Sequence, residues 1–598
     1  MRGFFYFCKN IFVLIRFALF VFCCLTFYTQ FKAQTNFPYS RFVDWQHAGS
    51  EQLDFSTAQI IHLDQMGIDA SGQADCSALV NQVIQTTQNQ PTIIRFPAGT
   101  FYFTNSILLR SHIAIEGAGA AQTFLRFNLN QSGSAIVGSG TLSNTTYDLA
   151  QVPLKNQQFL RCNNQVFQAG DWIRISCADS ALVSSTWAFG TVGQLVQIVQ
   201  VAQDTLFLAA PLRRSYIGNG DVKIQKMSPL EHIQIKCLSI ERIDDTAPAQ
   251  ESTIQFNYVV HSEILHLASK NCTFAHIDLR TCSNISVKAA YFQDAFSYGG
   301  GGRAYGVVMQ ATTNACLVED NIFKHLRHAI LLQSGANGNV SSLNYSTDAF
   351  WSEASLPANS AGELVLHGNY VYANLFEQNE VGNIVIDNSH GANGPDNLFY
   401  RNRATLYGIF FSDQTSPNQL FIGNHVTNTA FPYSLINYTI QGVGHYQFAN
   451  NNKGTIVPAG TILSSDSSFA YQQCPNFVPL TTWLTIGDQP VLLQNIPAKQ
   501  RYNAQQFVYN NCEQTAAVIF SESITGVQIW PNPAQDEIQV RSEQEAGSVI
   551  EIYSVNGKLI HSQQKISIIQ GVSIRHLDPG MYYLKFSESL ESFPFVKE

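Results

Sequence analysis

The chain has 598 residues, of which 13% are charged and 12% are aromatic, and its formal net charge is −9. This composition suits β-strands and tight turns better than helical bundles. The acidic balance argues against nucleic acid as a partner and against a polyanion held by charge alone, because both need a positive field. A polyanionic ligand would therefore require a local basic site or a bound cation.

The first 33 residues have the pattern of a targeting segment. Arg2 and Lys9 stand in a Phe/Leu/Val-rich run that gives way to polar sequence near Lys32. This order predicts a secretory signal peptide over residues 1–33, cleaved after Ala33, with an uncleaved membrane anchor as the alternative. The sequence therefore predicts membrane contact only through this peptide during export, or through surface attachment.

The cysteines predict little covalent structure. Nine of the twelve lie beyond the signal segment, and an odd number cannot all pair within the chain. Cys474 and Cys512 flank a late segment and are the pair that could bridge in an oxidising compartment. Four others lie among apolar residues and are predicted to be buried thiols: Cys237, Cys272, Cys282 and Cys316. No CxxC or His/Cys spacing indicates zinc.

Residues 34–140 open with a helix that short strands follow. Asp75 can cap a helix whose apolar positions share one face, at Leu79, Val80, Val83 and Ile84. The strand-like "TIIRF", a turn at Pro97–Gly99 and the runs "FYF", "ILL" and "IAIEG" come next. This succession resembles the opening of the pectate lyase-like superfamily, which includes polygalacturonases, pectin lyases and phage tailspikes. The resemblance implies a right-handed parallel β-helix with the helix over its N-terminal end.

Residues 141–228 interrupt this pattern. The stretches "QAGDWIRISC", "GQLVQIVQVAQDTLFLAAPL" and "GDVKIQK" contain strand pairs separated by Gly-Asp and Gln-Asp turns. They predict a small inserted β-domain, after which the coils resume at residue 229.

A repeat of an apolar residue, two further residues and asparagine runs through residues 229–470. It appears as "VEDNIF", "VYANLF", "FYRNRA" and "FIGNHV", with a shifted copy in "NVSSLNYS". Spacings of 23, 30, 28 and 22 residues, typical of solenoid coils, separate Asn321, Asn344, Asn374, Asn402 and Asn424. Stacked coils place like residues about 4.8 Å apart, so these asparagines are expected to form a hydrogen-bonded ladder. The predicted fold is all-β, a right-handed parallel β-helix.

Two further segments complete the chain. Residues 471–523 are expected to cover the open end of the stack, because an exposed final coil offers an unpaired edge. Residues 524–598 alternate apolar residues with turn motifs and predict a small antiparallel β-sandwich. The motifs "PNPA", "IEIYSVNGKLI" and "HLDPGMYYLKF" resemble the C-terminal sorting domain of the type IX secretion system. The resemblance implies export by that machinery, followed by release or by attachment to the outer cell surface.

Candidate catalytic carboxylates emerge when "RHAILLQS", "GNIVIDNS" and "YGIFFSDQ" are aligned. The alignment places two columns side by side: Gln333, Asp387 and Ser412, then Ser334, Asn388 and Asp413. Asp387 and Asp413 would be neighbours that could share a proton or a Ca²⁺ ion, or flank a glycosidic bond. The alternative is that each carboxylate only caps a turn.

His390, Arg401 and Arg403 lie in the next turn and coil. A polyuronate lyase needs a base for the proton α to a carboxylate and a cation to stabilise the enolate, which His and Arg can provide. The alternative for both arginines is a solvated position beside an inward Asn402. A second polar set lies on adjoining coils, with plain surface residues as its alternative; its predicted substrate-binding members are His328, His367 and Glu377.

These features predict a secreted or cell-surface protein that acts on a polysaccharide as a lyase or a glycoside hydrolase. The alternative is a non-catalytic glycan-binding or adhesin-like β-helix. The sequence establishes no cofactor and allows Ca²⁺. The catalytic motifs of polygalacturonases are matched only in the fragments "ERIDD" and "SHG", so the resemblance transfers no catalytic role.

Overall fold

The computed structural model describes residues 37–508 and 528–597 with short internal gaps. The gaps are 88–89, 164–165, 355–356, 414, 436–438, 464–467, 479–482, 485, 488–494, 531–533, 542–548, 555–557, 565–568 and 587–591. The chain divides into two compact units, Met1–Glu513 and Gln514–Glu598. The predicted signal peptide and Cys512 lie outside the described residues. Among the helices that are described, none has the length and apolar character needed to cross a membrane.

The first unit is a stack of coils whose strands form parallel sheets. Within the described ranges, sheet 1 has 13 strands. They are Gln59–His62, Thr92–Arg95, Ile113–Glu116, Leu230–Glu231, Ile233–Lys236, Val259–Leu265, Ser283–Lys288, Leu317–Glu319, Val340–Ser342, Leu375–Glu377, Leu398–Tyr400, Leu420–Ile422 and Tyr446–Phe448. Successive strands pair in parallel, as in Leu375↔Leu398 and Leu398↔Leu420. The predicted parallel β-helix is therefore confirmed.

Sheet 2 holds the other strands of each coil and has 20 strands in the same part of the chain. They are Ser71–Asp75, Gly99–Phe103, Ile107–Leu108, Thr123–Phe127, Ile136–Ser139, Ser239–Arg242, Ile254–Asn257, Ala268–Cys272, Ala275–Arg280, Tyr291–Ala295, Tyr305–Gln310, Ile322–Lys324, His328–Leu332, Tyr345–Thr347, Leu364–His367, Glu380–Asp387, Arg403–Phe411, His425–Val426, Asn450–Asn452 and Thr455–Val457. The final pair is antiparallel. A reversed last strand gives the end of the stack a partner that a further coil would otherwise supply.

The interior is filled by apolar side chains that repeat from coil to coil. Phe376, Phe399 and Phe421 stack face to face, with ring centroids 4.7 and 5.1 Å apart. These are three of the apolar positions in the predicted repeat. Offset aromatic stacking at this spacing adds about 0.5–1.5 kcal/mol per pair beyond the burial of the rings.

Buried asparagines form two ladders, where the sequence predicted one. The first runs through Asn321, Asn344, Asn379, Asn402, Asn424 and Asn450, each donating from Nδ2 to Oδ1 of the next at 2.9–3.1 Å. The second joins Asn339, Asn374, Asn397 and Gln419 at 2.9 Å. Asn374 therefore belongs to the second ladder and Asn379 takes its expected place. The strand Leu375–Glu377 lies between these two residues, so each ladder marks one end of a strand.

The predicted N-terminal helix is α1, Ser77–Thr86. Oδ1 of Asp75 accepts hydrogen bonds from the backbone N of Ser77 at 3.0 Å and from its hydroxyl at 2.6 Å. Val80, Val83 and Ile84 are buried against the coils. The apolar spacing of the sequence therefore identified the packed face of the helix.

The inserted β-domain has its own sheet and its own core. Six antiparallel strands form it: Thr141–Asp148, Phe159–Arg161, Trp172–Ser176, Gly193–Ala202, Thr205–Leu208 and Lys223–Ser228. The core includes Ile173, Val196, Ile198, Leu206 and Ile224. Because the coil before the insertion and the coil after it pair directly through their sheet 1 strands, Ile113–Glu116 and Ile233–Lys236, the insertion leaves the stack uninterrupted.

The described residues between 471 and 508 pack along the side of the stack, whereas the sequence predicted that residues 471–523 cover its open end. Helix α2 of this segment is Pro497–Asn503. Ile496 and Ala498 bury apolar side chains that face outward from three coils, Tyr291, Ile322 and Leu343. Arg501 also forms a buried ion pair with Asp320 at 2.5 Å. The apolar outer surface of those coils explains the position, because it would otherwise be exposed to water.

The second unit is an antiparallel sandwich of two sheets, as predicted. One sheet contains Gln528–Trp530, Glu537–Arg541 and Ile569–Ser573, and the other Val549–Ser554, Leu559–Gln564, Gly580–Phe586 and Ser592–Lys597. Ile538, Val540, Ile550, Ile552 and Phe595 are among the residues that fill the space between them.

The cysteines differ from the predicted pairing. Cys474 is a free thiol, and Cys237, which was predicted to be a buried thiol, is disulfide-bonded. Cys272, Cys282 and Cys316 are buried free thiols as predicted. Their burial raises the pKa values of all three, so these thiols stay protonated and unreactive.

A buried carboxyl makes the stability of the coils depend on pH. Burial raises the pKa of Glu363 from 4.5 to about 7, although Ser346 and the backbone of Asn383 donate hydrogen bonds to it. The folded protein therefore holds this proton more tightly than the unfolded chain, and the free energy of unfolding falls as pH rises between about 4.5 and 7. Glu363→Gln removes that dependence. We expect it to match the native protein near pH 4.5 and to exceed its stability at pH 8 by up to about 3 kcal/mol.

Urea unfolding at several pH values tests this expectation. Glu51→Gln, which changes an exposed carboxyl, is the matched control and should leave the pH dependence of the native protein intact. If the free energy of unfolding depends on pH in the same way for the native protein and for Glu363→Gln, the expectation is contradicted.

Candidate functional site

A column of polar side chains crosses the outer face of sheet 2, where its strands end. The registers place these side chains on successive coils: Arg280, Gln310, Gln333, His367, Asp387 and Ser412. Three of them, Gln333, Asp387 and Ser412, were aligned in one column from the sequence. The structure adds His367 between Gln333 and Asp387, because the strand Leu364–His367 forms a coil of its own. The column is the polar floor of a groove.

His367 and Asp387 form a close pair at the centre of this column. Nδ1 of His367 is 2.5 Å from Oδ2 of Asp387. Ser389 donates to Asp387 from its backbone N at 2.9 Å and from its hydroxyl at 2.7 Å. Burial opposes ionisation of Asp387, but these contacts outweigh it and hold the pKa of the carboxyl well below its usual range. Asp387 is therefore a fixed negative charge beside the imidazole.

His390 stands against this pair. Its ring is 4.8 Å from the His367 ring and 5.5 Å from the Trp187 ring, at 81° to both. Burial and the neighbouring His367 lower the pKa of His390 below 6.5, and Asp387 opposes the shift. The imidazole of His390 is therefore neutral at neutral pH, the state in which it can accept a proton.

Two arginines and a tyrosine extend the same groove. Arg280 is held by Asp278, with Nε 2.6 Å from Oδ2. The guanidinium of Arg327 lies over the rings of Trp351 and Tyr305, at 4.8 and 5.8 Å from their centroids. Burial raises the pKa of the Tyr305 hydroxyl, which therefore keeps its proton. The groove thus provides the local positive charge that an anionic ligand of this acidic protein would need.

Several polar atoms near the floor are buried without a hydrogen-bond partner among the described residues. They are Nε of Arg327, Nε2 of His328 and Oγ of Ser334. His328 is anchored by its other ring nitrogen, which is 2.6 Å from the carbonyl oxygen of Gly362. Because these atoms are buried beneath the surface, a ligand in the groove does not reach them, and the predicted substrate-binding residue His328 supports the floor without lining the cleft.

The inserted β-domain forms the opposite wall and converts the groove into a cleft of about 590 Å³. Trp187, which is 54% exposed, and Thr191 reach the cleft from the insertion. Thr312 donates its hydroxyl to the carbonyl oxygen of Thr191 at 2.6 Å, which fixes the wall to a coil. An exposed aromatic ring beside polar groups is suited to stacking on a sugar face.

The motif "GANG" occurs twice, at Gly335–Gly338 and Gly391–Gly394, and its turns let this wall approach. Gly335 has φ +70°, and a Cβ atom there would lie 2.1 Å from the carbonyl oxygen of Thr191. In the second turn Gly391 has φ +85°, and a Cβ would lie 2.3 Å from Oγ of Ser184. Both positions need glycine for the backbone conformation and for the contact. The repeated motif therefore marks where the insertion rests on the coils.

Three of the predicted site residues lie elsewhere. Arg401 and Arg403 are 1% and 3% exposed, and Glu377 is fully buried. Arg401 donates to the carbonyl oxygen of Ile486 at 2.9 Å, and Arg403 pairs with Glu380 at 2.7 Å. Glu377 accepts backbone hydrogen bonds from the segment that follows the coils, at Phe469 and Ala470. The prediction placed all three at an outward groove, but the later segment covers Arg401 and Glu377, and Arg403 is buried beside Glu380.

Asp413 lies beside the column and is not in it. Nδ2 of Asn388 donates to Asp413, and Thr415 donates to it from its backbone N at 2.7 Å. These contacts are those of a turn cap, the alternative considered from sequence. The described residues that line the cleft include no aspartate or glutamate. The predicted binding of Ca²⁺ therefore stays a prediction.

Sequence reasoning missed Arg280, Tyr305 and Trp187. Arg280 ends "AHIDLR" as Gln310 ends "YGVVMQ", so aligning every strand end instead of three would have found it. No such signal exists for Trp187, since it belongs to a separate domain. Asp244 of "ERIDD" forms a buried ion pair with Arg242 at 2.6 Å, which accounts for that fragment structurally.

Comparison with known families gives two matches. Residues 60–202 match the family described as "Rhamnogalacturonase A/epimerase, pectate lyase-like". Residues 528–593 match the "Secretion system C-terminal sorting domain". Both agree with the resemblances seen in the sequence, and the second indicates export by the type IX system to the cell surface or beyond. No curated protein matches the chain.

Solved structures with similar folds come from several kinds of protein. The Gp54 tailspike of Acinetobacter baumannii bacteriophage AP22, in complex with capsular saccharide, is 16% identical with a TM-score of 0.42, covering 67% of this chain and 72% of that one. A Thermotoga maritima exopolygalacturonase is 12% identical with a TM-score of 0.37, covering 64% and 83%. The Streptococcus pneumoniae surface adhesin PfbA is 9% identical with a TM-score of 0.29, covering 66% and 92%.

Proposed function

We propose that this exported protein, a pectate lyase-like β-helix with a type IX sorting domain, is a polysaccharide lyase that acts on a uronate-containing glycan. One observation carries the proposal. The neutral His390 stands against the His367–Asp387 pair in a cleft that two arginines and Tyr305 line. A neutral base, cations and a protonated hydroxyl are the groups that β-elimination requires.

The proposed reaction assigns a role to each group. Arg327 binds the uronate carboxylate and stabilises the negative charge that develops on it, whereas Arg280, three coils from His367 along the column, binds a different sugar residue of the polymer. His390 takes the proton from the carbon α to that carboxylate. The electron pair of the broken C–H bond forms the C4–C5 double bond, and the bond from C4 to the glycosidic oxygen breaks. Tyr305 gives its proton to the departing oxygen, and Asp387 positions His367 beside the base.

The lining of the cleft favours elimination over hydrolysis. Most glycoside hydrolases place two carboxyl groups on either side of the scissile bond. The described residues lining this cleft include none, and Asp387 is engaged behind His367. The exposed Trp187 would serve a glycan-binding protein equally well. A measurement of enzymatic activity is therefore needed to distinguish the lyase from the adhesin-like alternative.

A polysaccharide panel tests the proposal. Purified mature protein is incubated with pectins, alginate and glycosaminoglycans, with Ca²⁺ or with a chelator. We expect ultraviolet absorbance from unsaturated uronate together with new reducing ends on at least one acidic polymer. Reducing ends without absorbance would indicate a hydrolase. Binding without either signal would indicate the adhesin-like alternative. Either of these two results would overturn the proposal.

The pH dependence of the rate provides a second test. Because His390 must be neutral to accept the proton, kcat/KM should fall on the acid side of the His390 pKa, which burial and His367 place below 6.5. A rate that is constant above pH 7.5 and declines on the acid side of pH 6.5 is the expected profile. An acid limb centred above pH 7 would contradict His390 as the base.

A further inference from the structure

A second group of side chains lies at one corner of the two stacked coils between which the insertion occurs in the chain. His112 precedes the strand Ile113–Glu116, and Glu231 and His232 precede Ile233–Lys236. These strands pair in register, Ile113 with Ile233. His112 and His232 both have left-handed backbone angles, φ +57° and +54°. Their rings therefore project from the same corner of successive coils and stack, with centroids 4.9 Å apart.

Glu231 completes a three-residue cluster. Its Oε1 is 3.7 Å from Nε2 of His112, and one ligand atom from each of the three residues lies within 4.8 Å of the others. His112 and His232 also line a second cleft, of about 790 Å³. Nδ1 of His232 is buried and has no hydrogen-bond partner in the described part of the chain. A buried ring nitrogen without a partner is unfavourable, and a metal ion is one partner that would satisfy it.

We propose that His112, Glu231 and His232 form a site for one divalent transition-metal ion of the Zn²⁺ class. Two imidazoles and a carboxylate are a ligand set that Zn²⁺ accepts, with the fourth position left open to the cleft. Ligand bonds of about 2.0–2.2 Å require the three groups to close by roughly 1 Å. Side-chain rotation can supply this, since the side chains of His112 and Glu231 are 46% and 36% exposed.

The position of the site gives the ion a structural role. Its ligands come from the last coil before the inserted β-domain and the first coil after it, so a bound ion would link these two adjacent coils. The insertion between them supplies Trp187 to the cleft described above. The ion would therefore brace the coils that carry the inserted domain. The metal site does not depend on the lyase proposal.

Metal titration of tag-free, chelator-treated mature protein tests the proposal. We expect calorimetry to give one Zn²⁺ ion per chain and the thermal midpoint to rise with the logarithm of Zn²⁺ concentration. Mg²⁺, which prefers oxygen ligands, should leave the midpoint unchanged. Co²⁺ should bind at the same site with a visible absorption spectrum that Zn²⁺ abolishes, a readout that needs no variant.

Variants locate the ion. His112→Gln and Glu231→Gln should each weaken Zn²⁺ binding at least tenfold, since each removes a ligand. His47→Gln is the matched control, because His47 lines the same cleft and its side chain is 81% exposed. Absence of Zn²⁺ binding and of a Co²⁺ spectrum in the native protein would overturn the proposal and leave a plain stack of rings. Equal affinity in all three variants would also overturn it.

Discussion

His390→Gln is expected to lower kcat on an acidic polysaccharide by roughly 10²–10⁴-fold, the usual contribution of a positioned general base. Glutamine keeps a polar side chain of similar reach but cannot accept the proton at neutral pH. The contacts of Arg280 and Arg327 remain, so the affinity for substrate should change little. A large loss in kcat with a nearly constant KM is therefore the expected signature.

The measurement is the initial rate of unsaturated uronate formation by full-length mature protein. His47→Gln, a histidine replaced on a different cleft, should keep the native rate and controls for handling and folding. Near-ultraviolet circular dichroism of His390→Gln verifies that the site is intact. A rate within threefold of native would exclude His390 as the base without removing the lyase assignment, which the polysaccharide panel decides independently.

Asn402→Ala is expected to destabilise the β-helix by about 3–5 kcal/mol, among the largest effects of a single substitution. Asn402 accepts hydrogen bonds from Nδ2 and the backbone N of Asn379, at 2.9 and 3.1 Å. It donates to the carbonyl oxygen of Phe376 at 2.8 Å and to Asn424 at 3.1 Å. Alanine leaves these buried partners unsatisfied, at about 1–3 kcal/mol each before relaxation.

Urea unfolding followed by far-ultraviolet circular dichroism measures this effect. Asn128→Ala is the matched control, because Asn128 is exposed and accepts only one short-range hydrogen bond, from Asn130. It should change the free energy of unfolding by no more than about 0.5 kcal/mol. If Asn402→Ala unfolds at the same urea concentration as Asn128→Ala, the ladder contributes little and stacked apolar residues such as Phe399 maintain the coils.

The repeat could be predicted from the sequence because each coil places the same residue types in the same environment. Asn321, Asn344, Asn402 and Asn424 were assigned to one ladder from their spacing, and their hydrogen bonds confirm it. Asn374 was misassigned because "VYANLFEQN" contains two asparagines five residues apart. Each satisfies the repeat equally well, and only the strand register shows which end of the strand each one occupies.

Part of the candidate site could also be predicted from the sequence, because the repeat shows which residues depart from it. Asp387 and His390 were identified because they did not fit the repeat, and the structure places His390 in the cleft lining and Asp387 against His367, another lining residue. Arg401 and Arg403 did not fit it either, yet they are buried. Sequence periodicity shows which side chains project from the coils, but it does not show what later covers them. Here Ile486 contacts Arg401 from the segment beyond the coils.

The sequence by itself determined the solenoid, the insertion and the sorting domain, because periodic burial and turn chemistry are local and repeat along the chain. Only the tertiary structure decided which outward side chains share a cleft. That depended on contacts between segments far apart in sequence: Trp187 of the insertion against His390, and the later segment over Arg401. Such contacts leave no periodic signal, since they join a repeating surface to segments that do not repeat.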